Sequence, residues 1–284
     1  MRALRRGRED TVGLSETAIE TLGWCDAGRC TSADGRSWDF GDALRAAVAG
    51  TRGHAPHEVE ALARRTREPR VETRLEVTRE DTARAGRRLL AEGAASVGIL
   101  NFASARNVGG GFLGGARAQE EELCRASGLY RCLERAPAYY AANRAERSAV
   151  YTDHAITSPR VPFFRGPARE VVEPYLLSVV TSPAPNTGAL RQQGDAEGLL
   201  AVPATFRRRA LHVLALLEEL GCDAIVLGAW GCGAFQGDPA LVADAFAEGL
   251  AGPFAGRFPR VVFGLWGRSA RDEQNAVAFE RRFA

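Results

Sequence analysis

The sequence predicts an α/β fold of three layers, with helices on both faces of a mixed central sheet and a helical extension on the N-terminal side. Three observations carry this. Short apolar runs at Val97–Leu100, Ala224–Leu227 and Arg260–Leu265 read as buried strands. Helical patterns such as Phe206–Leu220 alternate with them. Two of the strands run directly into Gly-rich turns that are followed by helix starts.

Taken in order, residues 1–70 read as a polar, helical elaboration packed on the core that follows. Phe40–Val48 fits one short helix and Ala55–Arg65 another, with Pro56 at its start, where a missing N–H is not needed. Residues 71–284 are expected to form the core. Val71–Val77 alternates apolar and polar positions as a strand does. Asp81–Glu92 reads as a helix ended by Gly93, and Gln119–Arg135 as a helix broken near Gly128. Val171–Val180 reads as a strand interrupted by Pro174, which places it near a sheet edge. The Pro and Gly content of Thr181–Gly198 predicts a long loop. Gly221 ends the Phe206–Leu220 helix. Further helices are expected from Pro239 and over Asn275–Phe283. No break in composition marks a linker, so the two parts are expected to form one compact unit.

With 284 residues, 45% of them hydrophobic, the chain can bury a substantial core. No apolar stretch is long enough for a transmembrane helix, and the basic N-terminus lacks the apolar centre of a secretory signal. A cytoplasmic protein with no membrane partner is therefore expected. A net charge of +2 gives little pull towards nucleic acid, and no direct sequence-specific nucleic-acid binding is expected. All 37 basic residues are Arg, which excludes a Schiff-base or Walker-type Lys in this sequence. Arg207-Arg208-Arg209 reads as a solvated helix face. Cys25, Cys30, Cys124, Cys132, Cys222 and Cys232 match no compact zinc spacing and read as reduced, mostly buried thiols. His54 and His57 read as helix-surface or capping residues. No metal site and no cofactor are expected.

The two Gly-rich loops, NFASARNVGGGFLGGA after Val97–Leu100 and GAWGCGAFQG after Ala224–Leu227, share one design. Backbone N–H groups without obstructing side chains, next to a helix start, make an anion cradle. Each loop taken alone also fits a tight turn. Gly109, Gly111 and Gly114 formally match GxGxxG, but they stand too far from the strand for a dinucleotide fingerprint. Glu120, Glu121 and Glu122 at the next helix start fit the helix dipole, and Glu121 can pair with Arg125 one turn on. Alternatively, adjacent carboxylates about 100° apart let one touch a sugar while the other faces a reacting centre. Cys232 has no His close in sequence and reads as a packing residue rather than a nucleophile. His154 reads as structural or as part of a substrate rim. Trp230 fits either the cleft or the core, and Phe163 and Phe164 fit core packing better than a wedge at the cleft.

Joined, these features resemble a known family. Gly109-Gly110-Gly111, seven further residues and Gln119-Glu120-Glu121 are similar to the GGG…QEE signature of the microbial-type poly(ADP-ribose) glycohydrolases. The resemblance extends to ETAIETL, YTDHAITSPRVPFFR, SVVTSPAPNTGA and GAWGCGAFQGDP. It implies an α/β/α macrodomain that buries the terminal ADP-ribose of a chain. It implies that Asn107 contacts the distal ribose and that Gly109, Gly110 and Gly111 wrap ribose and diphosphate. Gln119 belongs to the same signature and is expected among the substrate-binding residues. Glu120 would hydrogen-bond the sugar and Glu121 would be the catalytic acid. Gly231, Cys232, Gly233, Ala234 and Phe235 would cover the diphosphate, with Phe235 on the distal ribose.

The implied reaction is hydrolysis of ribose–ribose O-glycosidic bonds, mainly from chain ends, with poly(ADP-ribose), ADP-ribose and ADP-ribosylated proteins as partners. Substrate diphosphate would help to place the attacking water. A reader macrodomain that binds ADP-ribose without cleaving it is the alternative, and the Glu120–Glu121 pair favours the enzyme. A nicotinamide-cofactor oxidoreductase is disfavoured by the misplaced GxGxxG.

Overall fold

A computed structural model describes residues 2–283, with side chains from residue 13 onward. The chain opens with α1 (Arg2–Ala27), a hairpin of β1 (Arg29–Thr31) and β2 (Ser37–Asp39), α2 (Gly41–Gly50), β3 (Arg52–His54) and α3 (Pro56–Ala63). It continues through β4 (Arg74–Thr78), α4 (Thr82–Ala91), β5 (Val97–Phe102), a single 3-10 turn (Phe112–Gly114), α5 (Gln119–Ala126), α6 (Leu129–Leu133) and α7 (Pro137–Ala145). Then come β6 (Ala155–Arg165), β7 (Val171–Ser182), α8 (Thr187–Gln193), α9 (Ala196–Glu219), β8 (Ala224–Leu227), α10 (Pro239–Ala251), β9 (Arg260–Gly264) and α11 (Ala270–Phe283).

Seven strands form one mixed sheet in the order β3-β6-β7-β5-β8-β9-β4. The five strands from β7 to β4 run parallel, and β6 and β3 add an antiparallel flank. Alternate residues of the parallel strands serve opposite cores. Leu100, Val180, Ile225 and Phe263 pack with α9, α10 and α11. Ile99, Val179, Val226 and Val262 join the core beneath α1 and α4 to α7. Helix α1 is docked onto α5, where the Thr21 hydroxyl donates to the Arg125 carbonyl at 2.9 Å.

Several elements depart from expectation for identifiable reasons. β7 is an interior strand, not an edge strand. Pro174 is tolerated because β5 pairs only with Ser178–Ser182, which leaves the first half of β7 bonded on the β6 side alone. β6 itself was hidden by Pro159 and Pro162; its pairing slips between Ser158 and Val161, where Arg160 has φ 48°. The expected loop Thr181–Gly198 contains α8, because the Asn186 side chain caps it by accepting from the Ala189 N–H at 3.0 Å. α9 begins ten residues before Phe206, capped by Asp195, and carries Pro203 within it. The N-terminal seventy residues also supply β3, an edge of the main sheet. There His54 is buried and bonded to Thr157 Oγ1 at 2.8 Å rather than lying on a helix surface.

Of the Arg triplet, Arg207 and Arg208 are exposed on the helix face as expected, but Arg209 is not. Arg209 is 1% exposed, donates to Asp153 at 2.6 Å and also binds the carbonyls of Val150, Tyr151 and Pro183. Phe163 and Phe164 are fully buried, stacked on Tyr175 and Phe40 respectively. All six cysteines are free and buried.

Candidate active site

Strands β5 and β8 are parallel neighbours, so the two Gly-rich loops leave the same edge of the sheet side by side. That edge, at the C-terminal ends of parallel strands, is where α/β folds hold ligands.

In the first loop β5 runs two residues past Leu100 and brings Asn101 to the sheet end, fully buried. Its amide donates to Glu120 Oε1 and to Thr181 Oγ1, both at 3.1 Å. The Ser104 N–H donates to Glu120 Oε2 at 2.7 Å. Both Glu120 oxygens are thus fixed. Burial nevertheless dominates and pushes the carboxyl up to about 8, against the pull of these donors and with a further push from Glu121.

Glu121 is 7% exposed. Its Oε1 accepts from the Gly111 N–H at 2.8 Å, and its Oε2 from the Ala118 N–H at 3.1 Å. The second bond is the reciprocal half of a capping box. The anticipated Glu121–Arg125 pair is not formed. Arg125 instead binds Glu122 Oε1 at 2.9 Å and the Ala116 carbonyl at 2.6 Å, because it points away from the carboxylate pair. Gly110, at φ 60°, lies against both carboxylates: a Cβ there would collide with Glu121 Oε1 and sit 3.1 Å from Glu120 Oε2.

Gln119 ties α5 to the end of β5. Its Oε1 accepts from the Phe102 N–H at 2.8 Å, and its amide donates to the Leu100 carbonyl at 2.7 Å. Asn107 is exposed at the loop tip, and its carbonyl accepts the Gly110 N–H.

The second loop is the better anion cradle. The N–H groups of Gly231, Gly233, Ala234 and Phe235 have no acceptor among the described residues. The loop is held from below. Trp230, buried, donates from Nε1 to the Ser182 carbonyl at 3.1 Å, and the Phe235 carbonyl accepts the Gly188 N–H at 2.9 Å. Cys232 is turned inward: its thiol is buried, its N–H binds Ala229, and its carbonyl accepts from Arg271 Nε at 2.7 Å. Burial pushes that thiol up to about 12, as expected of a packing residue.

A cavity of about 980 Å³, a size suited to a small organic ligand, opens beside these elements. Gln119, Gly231, Gly233, Ala234 and Phe235 line it, together with Trp266, which is 55% exposed. Asn107, Gly109, Gly110, Gly111, Glu120, Glu121 and Cys232 are not on its wall. Of α5, Gln119 and Glu122 reach the wall, and the Glu120–Glu121 pair between them does not. Among the described residues no group of His, Cys, Asp and Glu side chains is placed to hold a metal ion.

Glu120 makes stability depend on pH. In the unfolded chain its proton leaves near the ordinary value of 4.5; in the folded protein it leaves near 8. Between those values the native state binds more protons, so this group's contribution to stability falls as pH rises. The loss across the window is on the order of a few kcal/mol. Urea unfolding is expected to show Glu120→Gln gaining stability relative to the unsubstituted protein between pH 5 and pH 8. A difference independent of pH would contradict this.

Asn101, Ser104, Thr181 and Arg271 were not singled out from the sequence. For Asn101 a signal existed: a polar residue ending an apolar strand must find a buried partner.

A mixed sheet covered on both faces, with a buried carboxylate pair and an anion cradle on adjacent parallel strands, is a macrodomain-like α/β/α architecture. Residues 18–166 match the family described as microbial-type PARG, catalytic domain, and the chain belongs to that family. It is similar to the poly(ADP-ribose) glycohydrolase of Thermomonospora curvata, at 42% identity and TM-score 0.89 over 95% of this chain and 99% of that one. The Thermomonospora curvata enzyme bound to the inhibitor ADP-HPD matches at 43% identity and TM-score 0.87, over 95% and 99%. The poly(ADP-ribose) glycohydrolase of Deinococcus radiodurans in complex with ADP-ribose matches at 45% identity and TM-score 0.78, over 84% of this chain and 96% of that one. No curated protein sequence matches the chain.

Proposed function

We propose that this protein is a poly(ADP-ribose) glycohydrolase that releases ADP-ribose, mainly from chain ends. The observation that carries the reading is the union of two parts on adjacent strands. Four unpartnered N–H groups at Gly231, Gly233, Ala234 and Phe235 suit a diphosphate, and the buried Glu120–Glu121 pair suits a sugar. In this reading Asn107 and Gly109 to Gly111 border the distal ribose, Phe235 packs on it, Gln119 holds α5 in place, and Cys232 fills the space beneath the cradle. Glu120 hydrogen-bonds the sugar.

Glu121 protonates the departing oxygen as the bond from the distal anomeric carbon to that oxygen breaks. Water then adds to the oxocarbenium-like carbon and returns a proton to the Glu121 carboxylate. One family of substrates follows, namely free polymer and the polymer on ADP-ribosylated proteins.

The test is incubation of the purified protein with labelled poly(ADP-ribose). Free ADP-ribose is expected to accumulate. Tight binding of ADP-ribose with no release from polymer would replace the enzyme by a reader.

A further inference from the structure

Next to Phe235, but outside the cavity, stands a second wall made by Tyr151 and Arg106. The two rings of Tyr151 and Phe235 are 6.2 Å apart, and the Arg106 guanidinium lies 5.7 Å from the Tyr151 ring centroid. Arg106 belongs to the first Gly-rich loop and Phe235 to the second, so Tyr151 touches both. Its backbone is in the left-handed region, at φ 63°, where a bulky residue is strained. The strain is held in place by the buried Arg209, which donates to the Val150 and Tyr151 carbonyls at 2.9 Å each. Glycine would sit here without strain, so what the position retains is the ring.

The ring is half-buried, and its hydroxyl has no hydrogen-bond partner among the described residues. Arg106 and Arg144 are adjacent, with Arg144 Nη1 donating to the Arg106 carbonyl at 2.8 Å. Both are exposed, and neither has a carboxylate partner among the described residues. This contrasts with Arg79, Arg88 and Arg260, each bound to two or more glutamates. The Arg106 and Arg144 guanidiniums donate only to the carbonyls of Glu146 and Arg106, so their charge is not neutralised by a carboxylate. An aromatic face beside them suits a base joined to a diphosphate.

We propose that Tyr151 and Arg106 form the leaving-side subsite, which holds the adenosine diphosphate portion of the polymer unit next to the bond being cleaved. Tyr151 stacks the adenine, and Arg106 with Arg144 attracts the phosphates. The proposal rests on the poly(ADP-ribose) reading above.

Two substrates separate the subsite from the reacting centre. One is a short poly(ADP-ribose) oligomer. The other is the trifluoroethyl α-glycoside of ADP-ribose, whose leaving alcohol resembles a sugar hydroxyl in acidity but carries neither base nor phosphate. Tyr151→Gly, which relieves the positive φ, and Arg106→Gln are each expected to raise KM for the oligomer about tenfold. Tyr151→Phe should restore the oligomer KM. Hydrolysis of the trifluoroethyl substrate and calorimetric binding of ADP-ribose should be unchanged in all three variants.

Equal losses on both substrates would overturn the proposal, because the residues would then act on the reacting centre or on the loops. No loss on either would overturn it as well. If the unsubstituted protein binds ADP-ribose but cleaves neither substrate, the glycohydrolase reading itself fails, a result distinct from the other two.

Discussion

Glu121→Gln is expected to lower kcat on poly(ADP-ribose) by roughly 10²- to 10⁴-fold, the usual worth of a positioned proton donor. Gln has nearly the same shape and keeps one oxygen to accept a backbone N–H. The other oxygen becomes an NH₂ group facing either Gly111 N–H or Ala118 N–H, both of which now donate to Glu121. One of those bonds is lost, at a cost of about 1 kcal/mol. That is small beside the activity change, so a large loss of turnover with folding intact isolates the chemistry. Binding of ADP-ribose should stay within a few-fold, because the cradle N–H groups at Gly231 and Gly233 to Phe235 are untouched. Stopped assays of released ADP-ribose, paired with calorimetry, read both quantities. Turnover close to that of the unsubstituted protein would remove Glu121 from the acid role.

Gly110→Ala should be nearly as damaging, by a different route. The position has φ 60°, which costs an Ala about 1–2 kcal/mol. The added Cβ also collides with Glu121 Oε1, so the carboxylate must move. Displacing a catalytic group by about an ångström costs on the order of 10²-fold in rate. Gly114→Ala is the control in the same loop, since a Cβ there meets nothing within 4 Å and its φ is not positive. Thermal melts and turnover measured on both variants decide the matter. The Gly110 variant should lose stability and rate together, whereas the Gly114 variant should lose neither. Equal behaviour of the two would mean that the packing of Gly110 on the carboxylates is unimportant.

The layered α/β architecture was legible because buried parallel strands such as β5, β8 and β9 are short apolar runs and α10 starts at Pro239 as expected, whereas α11 begins at Ala270, five residues before the expected Asn275. The antiparallel flank was not legible. β6 carries two prolines and a bulge, features that usually argue against a strand, and they survive because much of its length is bonded on one side only. α8 was missed for a related reason: its cap, Asn186, sits in a Pro-rich stretch whose composition spoke for a loop.

At the site, the GGG and QEE runs marked the two parts that the structure brings together, but not how their groups are used. The N–H groups of Gly110 and Gly111 are taken by Asn107 and Glu121, so these two are not open to a ligand as the four donors of the second loop are. Arg209 looked like one of three equivalent surface arginines. Only the fold reveals that it faces inwards and holds the strained Tyr151.

The burial of every thiol has a practical corollary for labelling. Thiol reagents need an accessible thiolate, and burial pushes Cys25, Cys132, Cys222 and Cys232 each up to about 12. The sequence also contains no Lys for amine reagents to find. A single cysteine introduced at an exposed position, such as Trp266 on the cavity rim, would therefore stand out against a nearly silent background. A fluorophore attached there would sit beside the entrance to the cavity, reporting ligand arrival in real time without a change in the native thiols.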